Sequence, residues 1–132
     1  MKSSLLFFFL LAFASVAGAQ KVCDTVTHVL SADSFKIMTG RHDGVVLDVR
    51  TPDEFRTGYI SGAVNIDFRA ADFEAEISKL DKTKTYYVYC EVGGRSRMAA
   101  DYMTSHGFCQ VYVLERGLRD WKQKGYPVTV PK

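Results

Sequence analysis

Short, nearly continuous apolar runs at 26–30, 45–49, 62–66, 86–89 and 111–114 alternate with stretches whose apolar positions recur every three or four residues. Runs of this length, rich in Val, Ile, Leu and Tyr, read as strands covered on both faces, the habit of parallel sheets. The stretches between them read as helices. Ser31 can cap a helix over 32–39, with Asp33 in its first turn and Gly40 past its end. Thr51, Pro52 and Glu54 make a Thr-x-x-Glu start for a brief helix that Gly58 stops. Phe73, Ile77 and Leu80 share one face of a helix over 72–80, and Ala99, Tyr102, Met103 and His106 share another that ends at Gly107. A last helix over 118–124 turns Trp121 inward before Gly125 and Pro127. Strand and helix alternate without repeats or low-complexity linkers. The pattern therefore predicts one α/β domain in three layers, a mostly parallel five-stranded sheet with helices on both faces. In such sheets a site lies at the C-terminal ends of the strands.

One segment carries chemistry as well as structure. The strand over 86–89 ends at Cys90, and Glu91, Val92, Gly93, Gly94, Arg95 and Ser96 lead from it into the next helix. The two glycines let the backbone fold back on itself. The amides of such a turn, at the positive end of a helix dipole, converge on one point and attract negative charge. A thiolate on Cys90 is such a charge, with Arg95 as a second positive source. Glu91 works against it unless it points to solvent. A cysteine that ends an apolar strand is more often plain core, but Gly-Gly-Arg-Ser after it favours the reactive reading. Asp48 interrupts the run at 45–49, so its charge needs a partner or a place at the strand's end.

Charge and cysteine usage narrow the remaining classes. Lys2, the apolar run at 5–13 and Ala17-Gly18-Ala19 have the order of a secretory signal, which divides the chain into a signal at 1–19 and a domain at 20–132. The run is too short to span a bilayer, where about 20 residues are needed. The formal net charge is only +2, and Lys2 leaves with the signal. With no block of like charge, neither nucleic acid nor a membrane surface is expected as a partner once the signal is removed. The expected location is the periplasm or outside the cell. Three cysteines there leave one unpaired. If Cys90 is the reactive one, Cys23 and Cys109 are the candidate disulfide, each just before a predicted strand. A bridge closing so long a loop contributes roughly 4 to 5 kcal/mol on the chain-entropy account. Two unrelated buried cysteines remain the alternative.

Several of these pieces, taken in order, resemble the rhodanese family of sulfurtransferases. They are Leu47-Asp48-Val49-Arg50, then Thr51-Pro52-Asp53-Glu54-Phe55, Gly58-Tyr59-Ile60-Ser61-Gly62-Ala63, Tyr89-Cys90 with Gly93, Arg95 and Ser96, and Gly107-Phe108, Leu114, Gly117, Trp121 and Gly125-Tyr126-Pro127-Val128. The family pattern often has His and Pro where this chain has Tyr59 and Ser61, and a second glycine in place of Arg116. Those departures lie outside the cysteine loop, and the chemistry is expected to be untouched. The loop from Cys90 to Arg95 has the six-residue length of the sulfurtransferases. Related phosphatases and arsenate reductases use a loop one residue longer.

The resemblance implies a Cys90 persulfide that takes sulfur from a small anionic donor, thiosulfate or a persulfide, and passes it to cyanide or a thiol. A protein sulfur acceptor is a further partner it allows. Amides from Glu91 to Arg95 would hold the anionic persulfide. Arg95 would orient the donor, or else close the loop through backbone carbonyls. Ser96 reads first as a helix cap. Asp48 and Arg50 read as an ion pair or hydrogen-bonding group bracing the loop. No cofactor is implied, and His28, His42 and His106 have no metal-ligand spacing with the cysteines. The competing class is a non-catalytic persulfide-carrying or docking module for a periplasmic partner. A thiol–disulfide redox protein is weaker, because no Cys-x-x-Cys is present.

Overall fold

The computed structural model describes Cys23 and residues 26–132. The expected signal at 1–19 lies outside the described residues. Strand and helix alternate through β1 (His28–Leu30), α1 (Ala32–Thr39), β2 (Gly44–Asp48), α2 (Pro52–Arg56), β3 (Val64–Asn65), α3 (Phe73–Ser78), β4 (Thr85–Tyr89), α4 (Gly94–Ser105), β5 (Gln110–Leu114) and α5 (Gly117–Gln123). The strands form one five-stranded sheet in the order β1-β5-β4-β2-β3, with every pair parallel. This is the α/β architecture that the apolar pattern predicts.

Period-two alternation along the central strands divides the core into two halves. Tyr86, Val88 and Cys90 pack with Leu47, Val49, Phe73, Ile77, Ala99 and Met103 on the α3 and α4 face. Tyr87 and Tyr89 turn the other way, onto Ala32, Phe35, Leu118 and Trp121 of the α1 and α5 face. Phe35 meets the rings of Tyr87, Tyr89 and Trp121 edge-on, and the Trp121 indole N–H donates to Pro127 O at 2.9 Å. The polar handle of the one large indole is thus satisfied while its rings stay in the core.

Two elements are shorter than the pattern suggests. β3 pairs for only two residues, Leu47 with Val64 and Asp48 with Asn65. It is an edge strand, and beyond it the Ile66 and Phe68 amides donate to Asp48 O and Val49 O at 3.0 and 3.1 Å as the chain leaves the sheet. α3 occupies Phe73–Ser78 inside the predicted 72–80, with no side-chain cap at Asp72.

Strand order places the site. From β2 the chain moves outward to β3, whereas from β4 it moves the opposite way to β5. The loops after β2 and β4 therefore diverge and leave a crevice at the C-terminal ends of these neighbouring strands. Asp48 and Arg50 come from one side of it and Cys90 from the other. At the remote end of the sheet, Cys23 and Cys109 are joined by a disulfide with Cα atoms 4.6 Å apart, tying the chain before β1 to the start of β5.

Candidate active site

Cys90 leaves β4 on the α4 side, and its backbone is fixed before its side chain is considered. Its carbonyl accepts from the Leu118 amide at 2.8 Å, and the Glu91 carbonyl accepts from the Arg119 amide at 3.1 Å. The corner between β5 and α5 thus clasps the cysteine loop. Contact is so close that two positions admit only glycine. Gly93 has φ +105°, and a Cβ built there would stand 2.3 Å from Glu115 O; Gly117 has φ +66°, and its Cβ would stand 2.4 Å from Glu91 C and O. No side chain relaxes out of such contacts, because the obstructing atoms are backbone.

With Gly93 left-handed, the loop returns on the sulfur. The Gly93 N–H donates to Cys90 Sγ at 3.1 Å, and Ser96 Oγ lies 3.4 Å from the same sulfur. α4 begins at Gly94 with Gly93 as its cap residue, so the positive end of a twelve-residue helix faces the thiol. Cys90 itself is 1% exposed, while Val92 at the tip of the loop is 51% exposed. Cys90 is the one free cysteine among the described residues.

Two sequence expectations are corrected here, and the position of Glu91 is resolved. Ser96 is not the helix cap: the left-handed Gly93 starts the helix earlier, and Ser96 is a buried first-turn residue whose hydroxyl donates to Gly93 O at 3.1 Å. Arg95 neither faces the sulfur with a free fork nor closes the loop through carbonyls. Its Nη1 and Nη2 donate to Glu54 Oε2 and Oε1 at 2.7 and 2.8 Å, so its charge is already matched. Glu91 does not simply point to solvent, because Oε2 lies 3.4 Å from Arg50 Nη1.

Glu54 joins the site to α2. Its backbone N–H donates to Thr51 Oγ1 and its carboxylate accepts the Thr51 N–H at 2.9 Å, completing the predicted capping box. The same carboxylate receives Arg95. The Arg95 hydrogen bonds, opposed by burial and assisted by Thr51, draw its pKa down from the usual 4.5 to about 2. A lowered carboxyl contributes stability that is complete above about pH 4.5 and is lost as pH falls towards 2. The stability gap between wild type and Glu54→Gln, roughly 1 kcal/mol in urea melts, should therefore be constant from pH 7 to 5 and close by about pH 2. A gap unchanged over that range would mean that Arg95 does not rely on the charge of Glu54.

Beneath the loop, Arg50 and Asp48 are both buried. Arg50 Nη2 donates to Asp48 Oδ2 and to Gly58 O, each at 2.7 Å, while Nε lies 3.1 Å from both Asp48 oxygens. The guanidinium lies 5.8 Å from the centre of the Tyr89 ring. Tyr89 accepts the Ile60 N–H at 3.0 Å on its hydroxyl, a bond that local sequence patterns do not signal. Burial, then the nearby Asp48 charge, push the Tyr89 phenol well above its ordinary pKa, so it remains a neutral strut. Arg116, outside the cysteine loop in sequence, lines a hollow beside the loop tip with Val92, Arg119, Asp120 and Gln123. The clasp between β5–α5 and the cysteine loop brings it there.

A family model described as Rhodanese-like domain matches residues 31–124, which contain every element from α1 through α5. The chain belongs to the rhodanese family. It is 36% identical over 84 residues to a thiosulfate sulfurtransferase, GlpE, of Pseudomonas entomophila, covering 63% of this chain and 73% of that protein. Against YrkF of Bacillus subtilis, named for a sulfur-carrier role, it is 32% identical over 96 residues, or 72% of this chain but only 51% of that protein. The chain thus spans about half the length of that relative. The crystal structure of a rhodanese-related protein from Thermoplasma volcanium matches at a TM-score of 0.69 and 30% identity, covering 79% of this chain and 99% of that one. Among relatives of this chain, then, are sulfurtransferases at modest identity.

Proposed function

We propose that the protein is an exported sulfurtransferase that moves sulfane sulfur from thiosulfate or a persulfide donor to cyanide or a thiol. The observation that carries this reading is the Gly93 N–H aimed at Cys90 Sγ from 3.1 Å, at the N-terminal end of α4. An amide donor and a helix N-terminus placed there favour negative charge developing on the sulfur. In the first half-reaction the Cys90 thiolate attacks the outer sulfur of thiosulfate. A new S–S bond forms, the thiosulfate S–S bond breaks, and its electron pair leaves with sulfite. In the second, a nucleophile takes the outer sulfur and returns the electron pair to Cys90 Sγ. This is covalent catalysis with ping-pong kinetics. Export is supported by the signal-like order of residues 1–19 and by the Cys23–Cys109 disulfide, which suits an oxidising compartment.

The near-complete burial of Cys90 and the similarity to YrkF favour a second reading, a carrier loaded and unloaded by a partner protein. One experiment separates the two. Purified protein incubated with thiosulfate should gain one sulfur atom, about 32 Da, and lose it on addition of cyanide, with sulfite and thiocyanate formed over many turnovers. An adduct on protein isolated from cells, with no turnover on free thiosulfate, would select the carrier. No adduct under either condition would remove both readings.

A further inference from the structure

The positive charge nearest the thiol is already committed. Arg95 is forked onto Glu54, with the charge of Asp67 acting on it as well, and Arg50 is buried on Asp48 and Gly58 O. The α2 side of the loop is thus no inviting approach for an anion. On the opposite side lies a hollow of about 230 Å³ lined by Val92, Arg116, Arg119, Asp120 and Gln123. Arg116 is 72% exposed at its side chain and only loosely held, with Nη1 3.8 Å from Asp120 Oδ1. Arg119 is exposed and has no ion-pair partner among the described residues. The backbone is not loose, since the Leu118 and Arg119 amides are bonded to the Cys90 and Glu91 carbonyls. Two forks with spare donors are therefore mounted on the same rigid corner that shapes the cysteine loop.

Resting on the sulfurtransferase reading above, we infer that this hollow binds the carboxylate of a low-mass thiol that accepts sulfur from Cys90. A guanidinium presents paired N–H donors in the geometry a carboxylate accepts, and Gln123 adds a neutral amide at the edge. The hollow opens beside Val92, two residues beyond Cys90, and Cys90 itself does not line it. The anion held there and the reacting atom must then belong to one molecule with several bonds between them. In thiosulfate the oxygens sit on the sulfur next to the one transferred, which leaves no chain to reach from Cys90 into a hollow that Cys90 does not line. A peptide-like thiol with a carboxylate remote from its sulfur is long enough. Its thiolate attacks the outer sulfur of the Cys90 persulfide, a new S–S bond forms, and the Sγ–S bond breaks. The electron pair returns to Cys90, and the acceptor departs as a persulfide. No external oxidant or reductant is needed.

The test compares glutathione with the uncharged 2-mercaptoethanol as acceptors, using protein loaded from thiosulfate. In Arg116→Gly and in Arg119→Gln, the ratio of kcat/KM for glutathione to that for 2-mercaptoethanol is expected to fall about tenfold. A ratio unchanged in both variants overturns the proposal, as does an equal fall for both acceptors. A second measurement does not depend on turnover. S-methylglutathione, which cannot accept sulfur, should bind wild-type protein and bind Arg116→Gly about tenfold more weakly by calorimetric titration. No binding to the wild type, or equal binding to both, also overturns it. If the wild type binds S-methylglutathione selectively yet transfers sulfur to no acceptor, the transferase reading fails while the subsite stands.

Discussion

Cys90→Ser is expected to lower sulfur transfer from thiosulfate to cyanide by at least about a thousandfold, the scale on which removal of a covalent nucleophile acts. The serine should also yield no sulfur adduct in the intact mass. Oxygen replaces sulfur at the same branch of the side chain, so the hydroxyl can still accept the Gly93 N–H, and Ser96 Oγ remains close enough to share it. A buried hydroxyl with partners costs little, and the melting temperature should stay within a few degrees of wild type. What is lost is the nucleophilic sulfur, because a serine hydroxyl is a far weaker nucleophile and forms no persulfide. Cys23 and Cys109 cannot substitute, since they are bonded to each other at the far end of the sheet. Retained transfer in a folded Cys90→Ser protein would place the chemistry elsewhere and end the assignment.

How much of this was legible in the sequence depends on whether the signal was local. Gly44 followed by three apolar residues and Asp48, the Thr51–Glu54 box, and the strand ending at Cys90 all announce themselves within a few positions, and each appears where the pattern predicts it. The Cys90 turn was equally readable as a strand, two glycines and a helix. What escaped were partnerships across the crevice. Arg95 and Glu54 are 41 positions apart, as are Arg50 and Glu91, and neither pair follows from periodicity or capping rules. Glu54 also looked fully employed, because its role in the capping box left no reason to seek a second partner. Gly93 and Gly117 carry a fainter signal. Each glycine follows or precedes a charged or apolar element boundary as many turn glycines do, and only the contact between their two loops shows why a Cβ is excluded. Ser96 was misplaced for the same reason. A serine near a helix start reads as a cap, but the left-handed glycine had already begun the helix.

Arg50→Met should be the most destabilising single change at the site, costing about 3–5 kcal/mol, the usual loss when one member of a buried ion pair is removed. The argument rests on what remains. Asp48 is 0% exposed, and without the Arg50 side chain its carboxylate keeps the backbone N–H of residue 50 at 2.9 Å but loses its countercharge. Gly58 O loses its 2.7 Å donor and Glu91 loses the guanidinium 3.4 Å from its carboxylate, so the turn after α2 and the first residue of the cysteine loop loosen together. Methionine can fill much of the vacated volume, which makes the charge rather than a cavity the main cost. A second substitution separates these terms. If the stranded carboxylate is responsible, Asp48→Asn placed on Arg50→Met removes the uncompensated charge, and the double variant should recover at least about 1 kcal/mol in urea melts. If the packing of the guanidinium on Tyr89 dominates instead, the two losses will add, and Asp48 is then a bystander to the anchoring of the loop.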